Sequence, residues 1–217
     1  MSDRLFGKMS RAASASFLNA VRLHDDAILL YDNGRVPSAL HASVLSIEEL
    51  GKFMIYEDMY WHNRIEGEWE EKQIQASLKS TYSHKTKQKW FAGQGFEQQV
   101  AKPLLRIFQS GLLDEVKQRA TYVGFPRDRS RVHYEKRLQT PFGTSKKLTE
   151  EYITVVNDFL ITMALGTRKG AYVVDIPQVA SSLMEPSFEL HLSEAWPRTR
   201  PSTARWLKKH RKLDEIG

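Results

Sequence analysis

Two short stretches carry most of the residues able to do chemistry. The first is Glu48-Glu49-Leu50-Gly51-Lys52. Helical spacing puts Glu48 and Lys52 at i and i+4, a pair worth a few tenths of a kcal/mol on a surface. The same spacing puts Ile47, Gly51 and Met54 on one apolar stripe. A glycine there costs about 1 kcal/mol relative to alanine, so Gly51 points to close approach of a neighbouring helix. The second stretch is Ser83-His84-Lys85-Thr86-Lys87-Gln88, in which His84, Lys87 and Gln88 share a face, with Tyr82 and Phe91 flanking. That face offers a proton-transfer group, a fixed cation and an amide. The same residues also suit a plain structural role, either a solvated helix pair or a buried ion network joining two helices.

A third stretch, residues 122–134 (YVGFPRDRSRVHY), interleaves aromatics with Arg127, Arg129, Arg131 and His133. Rings and guanidinium planes stack on bases while the charge tracks phosphates, which suits single-stranded RNA; a mobile solvated loop has the same composition.

Periodicity supplies the elements that hold these stretches. A first helix is expected over 11–32, with Phe17, Val21 and Ile28 along one side, stopped by Asn33-Gly34. A second runs over 38–63 behind Pro37, with Leu40, Val44, Ile47, Met54, Ile55 and Met59 at helical spacing. A third is expected over 69–92 and a fourth over 96–120, separated by Gly93-Gln-Gly95. After a basic loop at 124–145, Thr149 opens a fifth helix whose Tyr152, Val155, Phe159 and Met163 face inward. Residues 171–176 look like a strand. Pro37 is the one proline in the first hundred residues, whereas Pro177, Pro186, Pro197 and Pro201 crowd the end. The expectation is an all-α, up-and-down bundle of about five helices over 10–170, followed by an irregular, proline-rich, basic extension over 171–217. Within it, 196–212 could form a short basic helix or a disordered tail.

The chain has 217 residues, 41% of them apolar, enough for one domain with a real core. It has no cysteine, which removes disulfides, thiolate nucleophiles and cysteine-based metal sites, and its seven histidines show no metal spacing. No metal or other cofactor is expected. MSDRLFGK at the start lacks the apolar core, about 7–15 residues long, of a signal peptide, so a cytoplasmic protein without a membrane segment is expected. Charge is lopsided. Residues 1–100 hold 12 Lys/Arg against 13 Asp/Glu, and 101–217 hold 20 against 13. Such a basic half suits an anionic partner such as nucleic acid.

Asn19-Ala20, Asp26-Ala27, Ser38-Ala39, Glu48 through Lys52, His84 with Lys87-Gln88, and Tyr122-Val123 together resemble the AbiV abortive-infection family over residues 15–165. AbiV belongs to the HEPN group of helical bundles, many of which are metal-independent ribonucleases of toxin–antitoxin and phage-defence systems, often dimeric. The resemblance implies phage defence through RNA or the ribosome, with translation blocked when a phage protein acts as trigger. HEPN ribonucleases commonly pair an Arg with a His across four to six residues, and Arg35–His41, Arg127–His133 and Arg205–His210 have that spacing. With 16 Arg and seven His, about one or two such pairs arise by chance, so spacing does not choose among them, although Arg127–His133 is the best placed.

An RNA-cleaving site would then use Glu48 or Glu49 to orient a base, His84 or His133 as acid or base, and Lys52, Lys87 or Arg127 against developing charge. The other reading is a non-catalytic protein that docks a phage or ribosomal component through the bundle. A homodimer is expected from the HEPN resemblance and from Met59, Tyr60 and Trp61, which look exposed at the end of the second helix.

Overall fold

The computed structural model describes residues 3–66, 70–93, 102–110, 112–125, 130–170 and 174–211. Among these residues the protein is all-α, with ten helices and no strand. They are α1 (Asp3–Asp32), α2 (Val36–Glu66), α3 (Glu71–Ser80), α4 (His84–Gly93), α5 (Lys102–Ser110), α6 (Leu113–Thr121), α7 (Lys146–Arg168), α8 (Pro177–Met184), α9 (Pro186–Ala195) and α10 (Pro201–Arg211).

The two longest helices, α1 and α2, form an antiparallel hairpin. Gly34 turns the chain in the left-handed region at φ +73°, which glycine enters without steric cost, and the Asn33 side chain donates to the Leu29 carbonyl to close α1. Helix α1 starts at Asp3 rather than 11 because its apolar stripe continues backward from Phe17 through Ala13 and Met9, and Phe6 stacks on Tyr60 with ring centres 4.1 Å apart.

Helix α7 is the central post. Fifteen consecutive residues, Tyr152 to Gly166, are buried around its whole circumference, as in a helix surrounded on all sides. Phe91 of α4 packs against Phe159 of α7 and Phe108 of α5, and Phe108 meets Tyr152 edge-on, so one aromatic cluster binds α4, α5 and α7.

The expected third helix is two. The chain turns at Thr81–Ser83, where the Ser83 hydroxyl accepts from the Thr86 amide and caps α4. That serine, with neither glycine nor proline beside it, redirects α4 so that its first residue, His84, faces α2. The expected fourth helix is also two: the Ser110 hydroxyl takes the Leu112 amide, and Asp114 and Glu115 open α6 at its electropositive end. Residues 96–101 of that expectation lie outside the described residues.

The extension after residue 170 corrects the sequence reading most. Val174–Ile176 form no strand, and 171–173 lie outside the described residues. The segment is not irregular either, because Pro177, Pro186 and Pro201 each stand at the first position of a helix, where a missing amide hydrogen costs nothing and the fixed φ suits the turn. The prolines that read as breakers are starters. Leu183, Leu192, Trp196 and Leu207 of this segment are buried, and α8, α9 and α10 all contact α7.

Candidate active site

Glu48 lies in the middle of α2 and is 2% exposed. Burying a carboxylate is expensive unless charge and hydrogen bonds answer it, and four groups from two other helices do so here. From α4, His84 Nδ1 lies 2.7 Å from Oε2, Gln88 Nε2 donates to Oε1 at 3.2 Å, and Lys87 Nζ stands 3.6 Å from Oε2. From α6, Lys117 Nζ donates to Oε1 at 3.1 Å. Burial alone would raise the Glu48 pKa, but the His84 hydrogen bond and the charges of Lys117 and Lys87 outweigh it and hold the carboxyl below its usual range. Glu48 is therefore ionised at neutral pH.

A carboxylate can only accept, so His84 Nδ1 carries the hydrogen. Its side chain is 51% exposed, leaving the rest of the ring at the surface on a buried anionic support. Gly51 makes this approach possible. A Cβ at that position would sit 1.9 Å from the Lys87 carbonyl oxygen, so α4 crosses α2 where α2 has no side chain.

His41 stands two helical turns before Glu48 on the same side of α2. Its Nδ1 lies 2.6 Å from the Thr121 hydroxyl, which donates its own hydrogen to the Lys117 carbonyl. The hydroxyl must then accept from His41, which assigns the hydrogen of neutral His41 to Nδ1 and leaves Nε2 as a free base. Burial, and after it the Lys117 charge, lowers the His41 pKa from its usual value. The cluster thus presents one neutral imidazole and one carboxylate-backed imidazole around Lys117.

Glu48, His84 and Asp114 offer ligand atoms within 4.8 Å of one another, as a metal site would. Lys117 Nζ occupies that space: it is 3.1 Å from Glu48 Oε1, 3.1 Å from Asp114 Oδ1 and 3.4 Å from His84 Nδ1. The two carboxylates, Glu48 and Asp114, suit an ammonium group.

The structure brings Glu48, His84 and Lys87 together. Glu49 and Lys52 pair with each other at 3.6 Å elsewhere on the circumference of α2, and the carboxylate that His84 meets is Glu48. Arg127 and Arg129 lie outside the described residues; Arg131 and His133 both turn to Glu135, at 3.6 and 3.0 Å. Three members of the cluster were missed by the sequence reading. Lys117 read as one more charge of the basic half 101–217 and Asp114 drew no notice, while His41 appeared only as the partner of Arg35, which is exposed at the α1–α2 turn. The seven-residue step from His41 to Glu48 was the available signal.

The model of the AbiV family within HEPN matches residues 8–141. The chain belongs to the AbiV family. No curated protein and no solved structure matches it. The matched span begins within α1, runs through α2 to α6 with every residue of the Glu48 cluster, and stops short of α7, which completes the core. AbiV membership associates the protein with abortive infection, a defence against phage. Among the described residues no helix is long and apolar enough to cross a membrane.

Proposed function

We propose that this AbiV protein acts on RNA, and that the Glu48 cluster is a metal-independent cleavage site. The observation that carries the reading is a half-exposed histidine held at 2.7 Å by a fully buried carboxylate, with a second, neutral histidine beside the same lysine. His41 Nε2 takes the proton of a ribose 2′-hydroxyl as its oxygen attacks the neighbouring phosphorus. The bond from phosphorus to the 5′-oxygen breaks, and protonated His84 gives that oxygen a proton. The products are a 2′,3′-cyclic phosphate and a 5′-hydroxyl, with no water or metal consumed. Glu48 balances His84 while it is charged, and Lys87 and Lys117 keep the local potential positive as the phosphorane gains charge.

The partners that fit this reading are RNA or the ribosome as target, a phage protein as trigger and a second copy of the chain. The dimer rests on HEPN membership alone, since Met59 and Tyr60 are buried and only Trp61 of that trio is exposed. Light scattering at micromolar concentration tests it, and a species of one chain's mass is the result against it.

A second reading has its own support. Lys87 and Lys117 are nearly buried, as in an ion network that only ties α2, α4 and α6, and that network would suit a bundle that docks a ribosomal or phage component without chemistry. Purified protein incubated with total RNA in EDTA separates the two. Cleavage that leaves cyclic phosphate ends, and vanishes in His84→Ala at unchanged melting temperature, supports the ribonuclease. Intact RNA together with phage protection that survives His84→Ala supports docking.

A further inference from the structure

Beside the Glu48 cluster is a second feature that the cleavage chemistry does not use. A cavity of about 400 Å³ opens between the start of α2, the outer side of α6 and the segment 137–148, within the roughly 300–1,000 Å³ typical of small-molecule sites. Its wall is apolar, formed by Leu40, Val116, Ala120, Leu138 and Leu148. Its polar side chains are positive or neutral: Arg119 and Arg137, then Gln139 and the hydroxyls of Thr140, Thr144 and Ser145. No carboxylate lines it among the described residues.

The charges are available to a ligand. Arg119 meets Glu115 at 3.6 Å with both side chains 61% exposed, a contact that water screens to little value. Arg137 is exposed and has no ion pair among the described residues. The wall is also built in place, since Gly124 and Gln139 exchange both backbone hydrogen bonds, at 3.0 and 2.8 Å, and pin the strand-like segment against the end of α6. Phe142, next in sequence to Gly143 of the lining, is 94% exposed on a 3-10 turn. An apolar slot lined by two guanidinium groups matches a ligand with a flat apolar face and a phosphate.

Position narrows the ligand further. Leu40, Val116 and Ala120 of the wall are the immediate sequence neighbours of His41, Lys117 and Thr121 of the cluster. The cavity therefore lies one residue over from His41 along α2 and from Lys117 and Thr121 along α6.

We infer that this cavity is a nucleotide subsite, which takes one nucleoside monophosphate unit with its phosphate between Arg119 and Arg137 and its base against the apolar wall. As the subsite of a strand it rests on the RNA reading above, and it would hold the nucleotide flanking the phosphodiester at His41 and His84. The same chemistry would hold a free nucleotide.

Calorimetric titration of the full chain with adenosine monophosphate, and separately with a short oligouridylate, tests this. Wild type binds the mononucleotide, and the double variant Arg119→Ala/Arg137→Ala binds about tenfold more weakly or worse, since each lost guanidinium removes a charge-assisted contact. Leu138→Glu, a single exposed change that puts a carboxylate in the wall, loses binding too and stands in if the double variant melts early. Competition between oligonucleotide and mononucleotide assigns the site to a strand, and independent binding assigns it to a free nucleotide. No mononucleotide binding by wild type, or equal binding by folded variants, overturns the subsite. His84→Ala binds the mononucleotide like wild type, so loss of cleavage and loss of the subsite are read separately.

Discussion

Gly51 and Lys87 meet backbone to backbone: the position of a Gly51 Cβ is 1.9 Å from the Lys87 carbonyl oxygen, 2.6 Å from its carbon and 3.1 Å from its Cα. No side chain can rotate to relieve that overlap, so Gly51→Ala must push α4 away from α2. On a free helix the change would gain about 1 kcal/mol; here overpacking of a backbone crossing should leave a net loss of about 1–3 kcal/mol. The displaced α4 carries His84, Lys87 and Gln88 away from Glu48, so any activity of the cluster should fall together with the melting temperature. Gly93→Ala, at the last residue of α4 where a Cβ meets nothing within 4 Å, is the control and should melt like wild type or slightly above it. A Gly51→Ala protein as stable as that control would refute the close crossing.

Removing one side of the Glu48–His84 pair should cost far more than removing the other. Glu48→Ala takes the carboxylate from nearly buried Lys87 and leaves Lys117 with Asp114 alone, and should cost about 3–5 kcal/mol. His84→Ala takes away a half-exposed ring and leaves Glu48 with Gln88, Lys87 and Lys117, a loss of about 1 kcal/mol or less. The Glu48 carboxyl is held below its unfolded value, so its contribution is present at neutral pH and fades as pH falls from the ordinary carboxylate range through the folded value. Denaturant melts of the two variants from pH 7 to pH 3 check this. The Glu48→Ala deficit should shrink toward acid, and a constant deficit would mean that the ion network contributes nothing.

The sequence disclosed what depends on local spacing. The stripes of α1, α2 and α7, the stop at Asn33-Gly34 and the close approach at Gly51 are all legible, because each is fixed by residues within a few turns of one another. The ends of α4 and α6 were not, since Ser83 and Ser110 act through one hydroxyl bond each and leave no periodic trace. Proline misled at the C-terminus because a first helical position and a break look alike until the following residues are seen to bury Leu183, Leu192 and Leu207. In the site, the face shared by His84, Lys87 and Gln88 followed from α4 alone. The choice of Glu48 over Glu49 did not: adjacent carboxylates lie about 100° apart on a helix, and which one α4 meets is set by packing. Lys117 and Asp114 reach Glu48 across 69 and 66 residues of chain, a separation at which sequence spacing has no say.

At the far end of α2 a different carboxyl responds to pH in the opposite direction. Glu57 accepts from the Asp175 amide, its Oε2 is buried without a partner, and burial, joined by the nearby Asp175 charge, raises its pKa to about 7. The folded state holds that proton to higher pH than the unfolded chain, so stability from this group is full below the ordinary carboxylate value and is lost as pH rises through about 7. Glu57→Gln keeps an acceptor for the Asp175 amide and removes the titration. Its unfolding free energy relative to wild type, read from denaturant melts, should climb between pH 4.5 and pH 7 and level off above, by up to a few kcal/mol at about 1.4 kcal/mol per pKa unit. A flat difference across that range would show that Glu57 is ionised in the fold.

The last helix is fastened to the central one by Asp158. Its Oδ2 accepts from the Arg200 amide at 3.1 Å and from the Thr203 hydroxyl at 2.8 Å, so a side chain of α7 clasps the first turn of α10. Asp158 is buried, and burial pushes its pKa up to about 6 against the pull of Thr203 and Arg200, while burial lowers the pKa of Arg200. Asp158→Ala removes both acceptor contacts and one of the two carboxylates, Asp158 and Glu151, that act on Arg200, a cost of about 1–3 kcal/mol that falls on α10 and its junction. The bundle of α1, α2, α4 and α7 keeps its aromatic core, so the expected result is local release. Limited trypsin digestion should cut Asp158→Ala at Arg198 and Arg205 well before wild type, since Arg200 is shielded by Pro201, while the remaining fragment stays helical. Asp158→Asn, which retains an acceptor, should fall between the two. Equal cleavage rates in all three proteins would show that apolar contacts such as Leu207 hold α10 without the clasp.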